Sequence, residues 1–145
     1  MKRLNCQGMV FIEMLLVLLI TATMLSVPTV FSQKIIKDTA TQLFIEDLQS
    51  SITMAQNHAV LSGNWSVIDV SAKKGMISFR TFPEAEKEVT YQLQLPENVT
   101  TPSNKQYIFN GGSGNLQSFS TLYFDIDGIR HGLVFQLGSG RYHWD

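Results

Sequence analysis

The chain has 145 residues, a formal net charge of −1 and one cysteine. That length fits a single domain with an appendage. The near-neutral balance does not suit a surface built to coat nucleic acid, and one cysteine excludes an internal disulfide framework.

The first predicted element is an apolar helix. Lys2 and Arg3 precede a run from Met9 to Phe31 whose only charge is Glu13. The run suits the ~20 residues a helix needs to cross a bilayer. It exceeds the roughly 7–15 residues of a secretory signal core, and Thr21-Ala22-Thr23 makes a poor signal-cleavage site. An ionised carboxylate within a bilayer is unfavourable by about 3 kcal/mol on insertion scales, so Glu13 marks a functional position that needs a partner. The fitting partner is an amine, and a cut between Gly8 and Met9 would create one. Lys2 and Arg3 place the short N-terminal side in the cytoplasm and the remainder outside. Pro28, near the outer end, removes one helical hydrogen bond and can kink the helix.

After Phe31 the pattern turns amphipathic. Ile35, Ile36, Ala40, Leu43, Phe44, Leu48, Ile52, Ala55, Ala59 and Leu61 recur at near-helical spacing, with Lys34, Lys37, Asp38, Glu46, Asp47 and Gln49 between them. Gly63-Asn64 supplies a stop. One helix is therefore expected from Met9 to Ser62, roughly 80 Å long at 1.5 Å per residue. Its second half needs a sheet to cover its apolar stripe.

Beyond Gly63 the period becomes two. Strands are expected at Trp65–Val70 and Met76–Arg80, with a turn at Lys73-Lys74-Gly75. Glu88–Leu95 alternates, with Val89, Tyr91, Leu93 and Leu95 on one face; Pro96–Asn104 reads as a loop, and Tyr107–Phe109 as a short strand before the turn-rich Asn110–Asn115. Leu122–Ile126 is expected to pair with Leu133–Leu137 across Asp127-Gly128, and a last strand covers Arg141–Trp144. One long helix followed by antiparallel strands gives an α+β fold with a small sheet.

The stretch MKRLNCQGMVFIEMLLVLLI resembles the N-terminus of type IV pilins and pseudopilins. That pattern joins a short basic leader ending in glycine, a methylatable first mature residue, glutamate as the fifth mature residue, and an apolar helix. Gly8, Met9 and Glu13 stand at those positions. The tail, with Ser120–Phe124 and Phe135–Tyr142, looks like that of small minor pseudopilins of competence systems, nearest the ComGD type of Gram-positive bacteria. Ser120-Thr121-Leu122 departs from the Gly-Thr-Ile-type strand start of that group. The resemblance implies a pilin-like fold: a leader over 1–8 that is removed, a transmembrane and assembly helix over 9–31, and an extracytoplasmic head over 32–145. It implies cleavage between Gly8 and Met9 by prepilin peptidase, N-methylation of Met9, and Glu13 pairing with a neighbouring subunit's Met9 amine during assembly. Removal of Lys2 and Arg3 would take the side-chain charge to −3, and the removal of Cys6 would leave no cysteine.

Other chemistry is weaker. Asp125-Ile126-Asp127-Gly128 lacks the further oxygen ligands of a calcium loop, and Asp-Gly between apolar runs is a hairpin signal. His58, His131 and His143 have no metal-ligand spacing, and His58 reads as a surface residue. No nucleophile–base pair or phosphate loop is evident, since Gly111-Gly112-Ser113-Gly114 lacks the lysine and the helix start. Neither an enzyme nor a cofactor is expected. Lys73, Lys74, Lys105, Arg130 and Arg141, with Trp65, Tyr107 and Tyr142 as stacking faces, could contact DNA, although scattered turn lysines are usually a solvated face.

The expected function is that of a minor pseudopilin of a DNA-uptake pseudopilus. It would sit in the cell membrane with its head outside and reach the surface on assembly. Its partners would be other pseudopilins, prepilin peptidase and the assembly platform membrane protein. The alternatives are a pseudopilin of a type II secretion or related system, and a signal-anchored surface binding protein.

Overall fold

A computed structural model describes residues 6–81, 89–118, 120–136 and 139–145. Lys2, Arg3, Glu88, Leu137 and Gly138, on which parts of the expectations rest, lie outside them. Among the described residues one helix, α1 (Cys6–Ser62), precedes eight strands: β1 (Ser66–Ser71), β2 (Met76–Thr81), β3 (Val89–Gln94), β4 (Val99–Thr100), β5 (Lys105–Phe109), β6 (Leu122–Ile126), β7 (Ile129–Phe135) and β8 (Tyr142–Trp144). The class is α+β. The chain divides into two compact units, Met1–Asp38 and Thr39–Asp145.

In the first unit, Gly8–Ser26 is 19 residues long with a mean hydropathy of 2.3. It is the one helical segment among the described residues long and apolar enough to cross a membrane. Its hydroxyls are satisfied within the helix: Thr21 Oγ1 donates to Leu18 O at 3.0 Å, Thr23 Oγ1 to Ile20 O at 2.8 Å and Ser26 Oγ to Thr23 O at 2.9 Å. Such back-bonding removes the free polar groups that an apolar solvent would penalise.

In the second unit, α1 buries Phe44, Leu48, Ile52, Ala55 and Ala59. Spacings of four, four, three and four keep these side chains on one stripe. Each large member stabilises the fold by about 1.5–3 kcal/mol through burial. The expected stripe is narrower than its apolar content. Leu43 and Leu61 are exposed in this unit, as are Ile35 and Ile36 in the first. In the adjacent pair 43/44, successive residues turn by about 100°, so Phe44 takes the buried stripe and Leu43 does not. α1 stops where Gly63 takes φ +72°, the left-handed conformation that glycine adopts without strain.

The strands form two sheets rather than the single small sheet expected. One has the order β3-β2-β1-β5, the other β4-β6-β7-β8, and every pairing is antiparallel. The division follows from residues 110–118. Phe109 bridges to Leu116, and Gln117 N donates to Ile108 O at 2.9 Å. The chain thus folds over the outer edge of β5, and β6 begins a new sheet. The stretch expected as a loop contains β4, where Val99 is buried and pairs with Ile126. Two residues are too few to reveal a period. β7 also starts earlier than expected, at Ile129, because Asp127-Gly128 makes a two-residue turn that leaves Ile126 facing Ile129 and Leu122 facing Leu133. Both turn residues have positive φ, +50° and +81°, as the hairpin turn matching strand twist requires.

One core joins the helix and both sheets. Phe44 meets Phe124 edge-on at 5.7 Å, Phe124 meets Trp144 at 5.9 Å, and Tyr107 of the first sheet meets Phe135 of the second at 4.9 Å. These separations fall in the range where ring pairs add to area burial.

Candidate functional site

Gly8 and Met9 lie in the first turns of α1, and both are exposed. Glycine lowers the stability of a helix interior, and a Cβ placed on Gly8 would meet nothing within 4 Å. Glu13 follows Met9 by four residues, which puts both on one helix face. Val10, Glu13, Met14, Val17, Leu18 and Thr21 line a shallow strip along the helix. Among the described residues the Glu13 carboxylate has no hydrogen-bond or ion-pair partner. The three hydroxyls of the apolar segment have partners within the helix, and Glu13 is the one carboxylate of that segment.

No cluster of three or more His, Cys, Asp or Glu side chains that could hold a metal occurs among the described residues. Asp125 is paired with Arg130, Nε to Oδ1 at 2.9 Å and Nη2 to Oδ2 at 3.2 Å. The guanidinium hydrogen bond holds the Asp125 carboxyl below its ordinary pKa. Asp125 and Asp127 therefore serve an ion pair and a turn. His58 is half-buried rather than a plain surface residue. Its Nδ1 lies 3.3 Å from Ser62 Oγ and 3.4 Å from Ser66 Oγ at the helix end.

The basic and aromatic residues singled out from sequence differ in exposure. Tyr107 is fully buried, and its hydroxyl donates to Ser120 O at 2.9 Å. Burial pushes its pKa up, and it offers no stacking face. Tyr142 is half-buried, with its hydroxyl donating to Gln49 O at 3.1 Å. Lys105 Nζ donates to Thr121 O at 2.6 Å and stands 5.9 Å from the Tyr123 ring, which Arg130 also approaches at 5.8 Å. Trp65, Lys73, Lys74 and Arg141 are exposed.

Two polar locks were not legible in the sequence. Gln56 Nε2 donates to Gly114 O at 3.1 Å and to Ser139 O at 2.9 Å, tying the helix to the 110–118 segment and the C-terminal tail. Asn98 Nδ2 donates to Thr41 Oγ1 at 2.9 Å and to Asp127 Oδ2 at 3.1 Å, while Asp127 N donates to Asn98 O at 3.0 Å. Isolated amides carry no periodicity, and only the proximity of Asn98 to Pro96 in a loop hinted at either. No family model matches the chain, and neither a curated protein nor a solved structure matches it.

Proposed function

We propose that this protein is a minor pseudopilin of a DNA-uptake pseudopilus, processed by prepilin peptidase and assembled through its N-terminal helix. The observation that carries the reading is Glu13: the one carboxylate of a membrane-length segment, four residues after Met9, with no partner among the described residues. The resemblance of the Gly8-Met9…Glu13 pattern to pilin N-termini supports it, and so does the coarse layout of an N-terminal apolar helix with antiparallel sheets behind it. In this reading cleavage after Gly8 frees the Met9 amine, which stays cationic when methylated. Glu13 of one subunit then meets that amine on a neighbour, and the pair is far less unfavourable in lipid than either charge alone. The register of subunits follows from the pair. Other pseudopilins, the peptidase and the assembly platform are the partners, and the head lies outside the membrane. The competence assignment rests on the tail resemblance alone.

The mature N-terminus, read by mass spectrometry with and without co-expressed prepilin peptidase, tests this. A chain beginning at methylated Met9 only when the peptidase is active supports the reading. An intact Met1 in the membrane fraction despite active peptidase means a signal-anchored surface protein. Glu13→Ala is expected to leave cleavage intact while abolishing assembly, measured as loss of sheared filaments and of transformation. Normal filaments in that variant would rule out the charge pair.

A further inference from the structure

Six methionines occur in the chain. Met9, Met14 and Met24 fall within the membrane-length segment Gly8–Ser26, and Met54 and Met76 belong to the second unit. Met76 stands on β2 with a strand on either side, opposite Ser71 of β1 and Gln94 of β3, and is half-buried. Met54 is 51% exposed on the solvent side of α1, where it lines an open groove with Ser50, Asn57 and Leu61. Of the two, it is the thioether that a small solute in water reaches.

The surroundings of Met54 give its sulfur a particular place. Leu43, Met54 and Leu61 are all exposed, and their separations of eleven and seven residues come close to three and two whole turns. They therefore share one line along the helix, with Met54 in the middle. Ser50, four residues earlier, and Asn57, three residues later, project from the same face. A hydroxyl and an amide thus stand one turn to either side of the sulfur, as donors for any oxygen placed on it. The core side of the helix is a separate face, held by Leu48, Ile52, Ala55 and Ala59.

We infer that Met54 is a reversible oxidation site of the head, modified by peroxides. The sulfur lone pair attacks one oxygen of hydrogen peroxide and the O–O bond breaks. The sulfur is oxidised to a sulfoxide, and the other oxygen leaves with both hydrogens as water. Two thiols reverse the step: they join as a disulfide, the thioether returns and the oxygen departs as water. The chain has one cysteine, Cys6, so the pair of thiols belongs to a separate reductase. The sulfoxide is polar where the thioether was apolar. It interrupts the line from Leu43 to Leu61 and leaves the buried stripe as it was. None of this uses Glu13 or the N-terminal pattern, so it stands or falls apart from the function proposed above.

The test is a time course of the full chain in phospholipid vesicles with dilute hydrogen peroxide, read by peptide mass spectrometry. The sulfoxide is expected to form several-fold faster at Met54 than at Met76. Methionine sulfoxide reductases for both sulfoxide epimers, supplied with a dithiol, are expected to remove it. Equal rates at the two residues, or faster oxidation at Met76, would overturn the inference, as would a sulfoxide at Met54 that the reductases fail to remove. Melting of the head, followed by near-ultraviolet circular dichroism of its tyrosines and tryptophans, is expected to be the same before and after oxidation. A lowered midpoint in the oxidised protein that is absent from oxidised Met54→Leu would make this thioether a packing residue and likewise overturn the inference.

Discussion

Gln56 holds three segments at once, because its amide nitrogen donates to carbonyls on both the 110–118 segment and the tail. Both acceptors crowd it: a Cβ on Gly140 would lie 2.5 Å from Gln56 Nε2 and 2.7 Å from Gly114 O. Gly140 also has φ +65°, so glycine is required there twice over. Gln56→Ala leaves two half-buried carbonyls short of a donor and is expected to destabilise the head by about 1–3 kcal/mol, measured as a shift in the denaturant midpoint. A change within error would mean that water replaces the amide. Tyr107 and Asp125 set opposite pH limits. Burial raises the tyrosine pKa, so its contribution is complete below the usual value of 10.0 and is lost as pH rises through the raised value. The Arg130 hydrogen bond lowers the Asp125 pKa, so that contribution is present above the ordinary carboxylate range and is lost as pH falls through the lowered value. Melting of the head followed across pH should therefore weaken at both ends. Tyr107→Phe should remove the alkaline loss that belongs to this residue, and an unchanged alkaline limb would assign it to other groups.

At the scale of elements, α1 separates apolar residues that matter for packing from those that do not. Leu48 is fully buried, whereas Leu61, on the same helix and equally apolar, is 86% exposed. Leu48→Ala is expected to destabilise the head by about 2–5 kcal/mol, and Leu61→Ala by no more than about 0.5 kcal/mol; thermal unfolding of both variants decides between this and a uniformly buried helix. Much of this level was legible in the sequence. The stop at Gly63, the turn at Gly75 and the hairpin at Asp127-Gly128 each carry a backbone demand that only a few residue types meet, so each could be read locally. The split into two sheets could not, because it depends on Leu116 and Gln117 folding back onto β5, and a single bridge leaves no pattern. Tyr107 likewise alternates as a surface aromatic would, yet the second sheet seals it against Phe135.

At the scale of the molecule, the order of elements along the chain runs against the order of packing. Phe44 of the first element meets Phe124 of β6, Trp144 of β8 meets Phe124, and the Tyr142 hydroxyl donates to Gln49 O, while the first sheet shares the same core. Contacts this distant in sequence delay folding, since the loop must close before they reward it. Phe44 therefore becomes buried only when the hairpin of β6 and β7 has docked. β8 thus closes a chain of rings that starts on the helix at Phe44 and passes through Phe124 to Trp144, so loss of its pairing with β7 would open apolar surface of the kind a protease or chaperone recognises.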